Sequence, residues 1–128
     1  MTSVKRMVGL VAAGLLILSS GAHSLLGWKQ LNGQLMANRV PPDLILGLKL
    51  GWQFGGVAML VFGVVVVSIL ARPSQNDRGR VFPVLAIGVA YVTFGAWALI
   101  VSGHDPFFAI FIVPGLLLLV AALPTRGL

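Results

Sequence analysis

Leu44 to Leu70 reads LILGLKLGWQFGGVAMLVFGVVVVSIL, and its only charged side chain is Lys49. As a helix rising 1.5 Å per residue this stretch is about 40 Å long, more than the roughly 30 Å hydrocarbon core of a bilayer. It is therefore expected to cross a membrane. Pro41-Pro42 stops helical continuity just before it, and Asp43 is expected to cap the new helix by accepting from its free backbone N–H groups.

The same pattern repeats outward in both directions. Downstream, Arg72-Pro73-Ser74-Gln75-Asn76-Asp77-Arg78-Gly79-Arg80 combines a helix stop with turn formers and three arginines, and is expected to be a loop. A third span is predicted over 81–102, with Pro83 tolerated in its first turn. His104-Asp105-Pro106 follows as a tight connection in which Asp105 serves as N-cap and Pro106 as first helical residue. The fourth span, 107–123, is short, and Pro114 should kink it by removing one helical hydrogen bond.

Upstream, residues 7–27 form the first span after Lys5 and Arg6. The basic start and the Ser20-Gly21-Ala22 ending also fit a cleavable signal peptide, so both readings stand. Residues 28–43 make an outer connection in which Trp28, Leu31 and Leu35 recur at helical spacing opposite Lys29, Asn32 and Asn38. That pattern fits an interfacial helix or an extension of the first span.

Composition agrees with lipid as the solvent. The 128 residues are 58% hydrophobic and 9% charged, with a mean hydropathy of +1.00, far from soluble globular usage. The expected fold is all-α: an integral membrane four-helix bundle in one transmembrane domain spanning residues 1–128. Short loops rich in Lys and Arg face the cytoplasm. Lys5, Arg6, Arg72, Arg78, Arg80 and Arg126 fall on one side, against Lys29, Arg39 and Lys49 on the other, so both termini should be cytoplasmic.

Several function classes are argued against at once. The spans contain no Asp or Glu, which a proton-coupled carboxylate pump needs. There is no cysteine for disulfide or thiolate chemistry. The net charge of +6 is scattered over termini and connections rather than gathered into a stripe, so nucleic acid is not an expected partner. A channel needs polar residues through the whole membrane depth, and the inner halves of all four spans are almost wholly apolar.

Polar chemistry collects in one layer. His23 near the end of the first span, Lys49 and Gln53 on one face of the second, and His104 with Asp105 in the outer connection all fall toward the outer side. These five are the candidate ligand-binding residues. Lys49 either snorkels to the lipid interface or points inward toward Asp105 or an anionic ligand. His23 and His104 have lone pairs suited to haem or a metal ion, but only Asp105 is an obvious third ligand, so no cofactor and no catalytic residue is expected. Gly47, Gly51 and Gly55, four residues apart, line one helix face for close packing against a neighbouring helix, in this chain or another.

His23-Ser24-Leu25-Leu26-Gly27, followed by a polar connection and three more spans, resembles small uncharacterised bacterial four-helix membrane proteins that carry a His-Ser-x-x-Gly pattern there. The resemblance implies a four-span fold in a bacterial inner membrane, with a polar focus at that motif. It also implies an acidic residue after the glycine and a histidine in the second span, where this chain has Trp28 and Gln53. Small multidrug exporters are similar in length, but they depend on a first-helix glutamate, and all three acids here are aspartates.

Two functions are expected from these residues. One is a non-catalytic accessory or interaction subunit that meets lipid and either a second copy or a larger membrane complex. The other is an outward-facing pocket around His23, Gln53 and His104 for a ligand, haem or metal, with acid–base chemistry on a lipid or quinone as its enzymatic form.

Overall fold

The computed structural model describes residues 2–72 and 77–123, the side chains of 77–80 excepted. The described residues are overwhelmingly helical, in four rods. Helix α1 covers Ser3–Ala37, α2 Pro42–Ala71, α3 Asp77–Val101 and α4 Pro106–Ala122. The first three contain segments long and apolar enough to cross a membrane, and α4 is a shorter apolar helix.

The first span and the polar stretch after it are one helix, so the extension is found and not a separate interfacial helix. Within it, Ala22–Gly27 is a π segment between α-helical Ser3–Gly21 and Trp28–Ala37. The 35 residues of α1 give about 52 Å of helix against about 25 Å for α4. The hairpin of α1 and α2 therefore outreaches its neighbours.

The helix ends show which local signals operate. Asp105 caps α4 as expected: its Oδ1 accepts from Phe107 N at 2.9 Å, and Pro106 opens a 3₁₀ turn, Pro106–Phe108. Asp43 does not cap α2. Pro41 holds the N-cap position and Pro42 the first helical one, which puts Asp43 inside the first turn, where its charge complements the helix dipole. The expected 72–80 loop is also shorter than its composition suggests. Helix α3 begins at Asp77, so Pro83 lies inside it rather than in its first turn, and residues 73–76 lie outside the described chain.

Two helices end alike. At the close of α1, Val40 N donates to Leu35 O and Arg39 N to Met36 O, each at 3.1 Å, with Arg39 at φ 54°. At the close of α3, His104 N donates to Leu99 O at 2.8 Å and Gly103 N to Ile100 O at 3.3 Å, with Gly103 at φ 72°. Both satisfy the last carbonyls through a left-handed residue. The first uses an arginine where glycine is the unstrained choice.

Packing is uneven around the bundle. Helix α1 packs closely on α2 and on α4, and α4 closely on α3, whereas α2 and α3 touch lightly despite being consecutive. The order around the bundle is α2, α1, α4, α3, with a loose seam between its ends. The dense core sits in the half nearest the N-terminus, around Ala12, Ala13, Leu16, Val66, Leu70, Val84 and Leu118. Residues Ala12, Ala13 and Leu16 belong to the segment that resembles a signal peptide, so its removal would empty this core.

Glycines set the close approaches. A Cβ at Gly63 would stand 3.1 Å from Ala13 O and 2.6 Å from Ile17 Cγ1, so α1 and α2 meet almost backbone to backbone there. At the same end Lys5 Nζ donates to Leu123 O at 2.6 Å, and Arg6 Nη2 to Ala71 O at 2.9 Å. The two cations thus sit on the C-terminal ends of α4 and α2, where the helix dipoles are negative.

Candidate functional site

The π segment of α1 is held by α2. A π turn widens the helix, with Trp28 N reaching back five residues to His23 O. Helix α2 adds donors to this loosened ladder: Trp52 Nε1 donates to His23 O at 2.7 Å, and Gln53 Nε2 to Ser24 O at 3.0 Å. In return, His23 Nε2 lies 3.0 Å from Trp52 O. The imidazole and indole rings stack with centroids 4.3 Å apart and planes 4° from parallel.

Each fixed residue of the His-Ser-x-x-Gly pattern takes part. His23 stacks on Trp52, and Ser24 offers its carbonyl to Gln53. Gly27 seats the indole, because a Cβ there would stand 2.9 Å from Trp52 Cζ2. At Gly56 a Cβ would collide with Ser24 Oγ, so α2 also needs a glycine at this crossing. The motif is a clamp between two helices.

Beside the clamp, in the half of the bundle away from the N-terminus, a cavity of about 730 Å³ opens where α2 and α3 diverge. Its α1 wall presents Ser19, His23, Gly27, Gln30 and Gln34, roughly one per helical turn. Trp52 and Met59 line it from α2, and Tyr91 and Phe94 from α3. Asp105, Phe107, Phe108 and Phe111 close it from the α4 side. Phe94 and Phe111 meet edge to face at 5.0 Å, so this wall is a connected aromatic surface.

The five candidate residues separate. His23 and Asp105 line the cavity. Gln53 is half-buried one turn away, its amide donating to Ser24 O. Lys49 is exposed on α2, and His104 is exposed in the α3–α4 connection at φ 69°; neither lines the cavity. Among the described residues no three His, Cys, Asp or Glu side chains come together as a metal site. Of the three glycines, Gly47 and Gly51 have nothing within 4 Å of where a Cβ would stand, while a Cβ at Gly55 would stand 3.2 Å from His23 Nε2.

Sequence reasoning missed Gln30, Gln34 and the phenylalanines of α4. A signal for the glutamines was present: Ser19, His23, Gly27, Gln30 and Gln34 form a stripe at helical period once residues 28–37 are counted as helix. Nothing local marks Phe107, Phe108 and Phe111 as lining rather than lipid-facing, since that depends on which helix packs opposite.

Chemically the cavity offers one imidazole, two neutral amides, two hydroxyls (Ser19 and Tyr91) and one carboxylate on an otherwise apolar, aromatic lining. The Trp52 carbonyl can only accept, so in the neutral ring Nε2 carries the proton and Nδ1 keeps its lone pair. Nδ1 has no partner among the described residues and is not sealed off within the protein, and His23 is one of the residues that line the cavity. Comparison of the chain with protein-family models, curated proteins and solved structures found no match.

Proposed function

We propose that this protein is an integral membrane binding protein that takes a small amphipathic molecule from the bilayer into the cavity between α2 and α3. All four helices cross the membrane, both termini are cytoplasmic, and the cavity lies in the outer half of a plasma membrane that is the inner membrane of a bacterium. Support for this orientation comes from the distribution of Lys and Arg over the connections. The observation that carries the function is the cavity itself. Its volume falls within the roughly 300–1,000 Å³ of small-molecule sites, and it is apolar with a few convergent polar groups.

The loose α2–α3 seam supplies a lateral way in. The dense half of the core below it argues against a continuous path across the membrane. No catalytic role is assigned to His23, whose Nε2 edge and ring face are both engaged by α2.

Organic extraction of protein purified from native membranes tests the proposal. Wild type should release close to one equivalent of a small amphiphile, and Ala22→Phe, which fills the cavity from the α1 wall, should release none. Wild-type protein carrying no such molecule would overturn it.

A second reading, an accessory subunit that pairs with another membrane helix or a second copy, is favoured by one observation. Counted from Ala71, about 20 residues of α2 suffice to cross the hydrocarbon core. Leu44, Leu46, Leu48 and Leu50 lie beyond that count and are exposed, beside the open Gly47 and Gly51. Cross-linking in native membranes from cysteines placed at Gly47 and Gly51 would reveal the partner.

A further inference from the structure

We propose that the cavity is selective for an uncharged amphiphile whose hydroxyl head donates to Nδ1 of His23. This rests on the binding function proposed above and goes further by naming the chemistry of the ligand.

Charge gives the first restriction. Among the described residues no lysine or arginine lines the cavity, and the one charged side chain there is Asp105. A phosphate or carboxylate head would meet no counter-charge and would face a carboxylate. A cationic head gains little either. Asp105 Oδ1 already accepts from Phe107 N, and its charge is opposed by the positive end of the helix it caps.

Hydrogen bonding gives the second. His23 lines the cavity, and its accessible Nδ1 keeps a lone pair with no partner among the described residues, which calls for a donor on the ligand. Ser19, one turn from His23 on the same wall, both donates and accepts, so it matches a hydroxyl head without demanding charge. The depth is suitable. His23 lies seventeen residues beyond Arg6, about 25 Å along the helix, just inside the outer boundary of the hydrocarbon core, where the head of a neutral lipid resides.

Volume sets a lower bound on size. At about 30 Å³ per heavy atom, the share of one water in the liquid, 730 Å³ accommodates at least about two dozen heavy atoms, enough for one chain with a small head. Phe94, Phe108 and Phe111 form the apolar end for the chain.

The test uses Trp52, which lines the cavity, as reporter. Trp28→Phe and Trp97→Phe leave it the sole tryptophan of the three. The full chain in phosphatidylcholine nanodiscs is titrated with monoacylglycerol brominated on its chain, and Trp52 quenching is followed. The expected result is saturable quenching. Affinity should fall about tenfold for the analogue with both hydroxyls methylated, the scale of one lost hydrogen bond. His23→Gln keeps an N–H donor near the Nε2 position but lacks Nδ1, so it should lose about tenfold for the hydroxyl ligand and bind both analogues alike.

Brominated oleate and a brominated alkyl-trimethylammonium ion should bind more than tenfold more weakly than the monoacylglycerol. If either charged probe binds as tightly, or methylation costs nothing in wild type, the head-group assignment is overturned while the binding function stands. If no probe quenches saturably, both fall. The methylated ligand tests the hydrogen bond in unaltered His23, so the outcome does not depend on the folding of His23→Gln.

Discussion

His23→Ala and Trp52→Ala, made singly and together, give a defined expectation because the contacts between these residues differ in kind. The two hydrogen bonds run from each side chain to the other residue's backbone: Nε2 of His23 to Trp52 O at 3.0 Å, and Nε1 of Trp52 to His23 O at 2.7 Å. Alanine at either position removes its own donor but leaves the carbonyl that the other residue uses. Only the ring stack, 4.3 Å between centroids, requires both side chains. Each hydrogen bond is worth about 0.6–1.5 kcal/mol, the lower figure being typical inside membranes. The stack adds about 0.5–1.5 kcal/mol. His23→Ala should therefore lose about 1–3 kcal/mol of folding free energy, and Trp52→Ala more, because a larger apolar surface goes with it. The coupling energy of the cycle should equal the stack alone, about 0.5–1.5 kcal/mol. Reversible unfolding in mixed detergent micelles, followed by circular dichroism, measures all four proteins. A coupling energy indistinguishable from zero would refute the clamp, and so would a His23→Ala variant as stable as wild type.

Two further substitutions test the packing. Gly63→Val should separate α1 from α2 and cost well over 1 kcal/mol by overpacking, whereas Gly51→Val, facing open space, should shift stability by less than about 0.5 kcal/mol in the monomer; thermal melts in detergent would show the contrast. Arg39→Gly should stabilise by roughly 0.5–1 kcal/mol because it relieves a left-handed arginine, and an unchanged or lower melting temperature would contradict that. Arg6→Gln should cost about 0.3–1 kcal/mol through the lost cap on Ala71 O, with the loss shrinking as salt is added to the melts.

How much could be read in advance depended on the range of the interactions. The apolar runs, the stop at Pro41-Pro42 and the cap at Asp105-Pro106 are set by neighbours in sequence, and each appears where the residues put it. The start of α3 departs from its local composition: turn formers fill 72–80, yet the helix already runs from Asp77. The π segment was not legible. Its extra donors come from Trp52 and Gln53, twenty-nine residues away, and no local propensity encodes them.

Glycine spacing raised the same difficulty. Gly47, Gly51 and Gly55 fit a small-residue repeat as well as Gly56 and Gly63 do, yet only the latter pair lies deep against α1. Which face turns inward follows from the partner helix and its register. The site was legible in part for this reason. The cost of a polar group near lipid singles out His23, and the Asp-Pro pair singles out Asp105, and both line the cavity, whereas the aromatic wall and the α2–α3 seam arise from the order of helices around the bundle.

The central claim is a cavity with polar side chains along its α1 wall, in the half of the bundle away from the N-terminus, and the absence of native cysteine makes one measurement on it direct. Single cysteines replace Ser19 in the cavity wall, Leu18 beside it on the outer surface at 73% exposure, and Ala12 in the dense core at 0%. A maleimide reacts with thiolate, which needs water at the site. In phosphatidylcholine vesicles, with any bound amphiphile first removed in detergent, the Ser19→Cys protein should be labelled at least tenfold faster than either Leu18→Cys or Ala12→Cys. Equal, slow labelling at all three positions would mean that no such cavity exists.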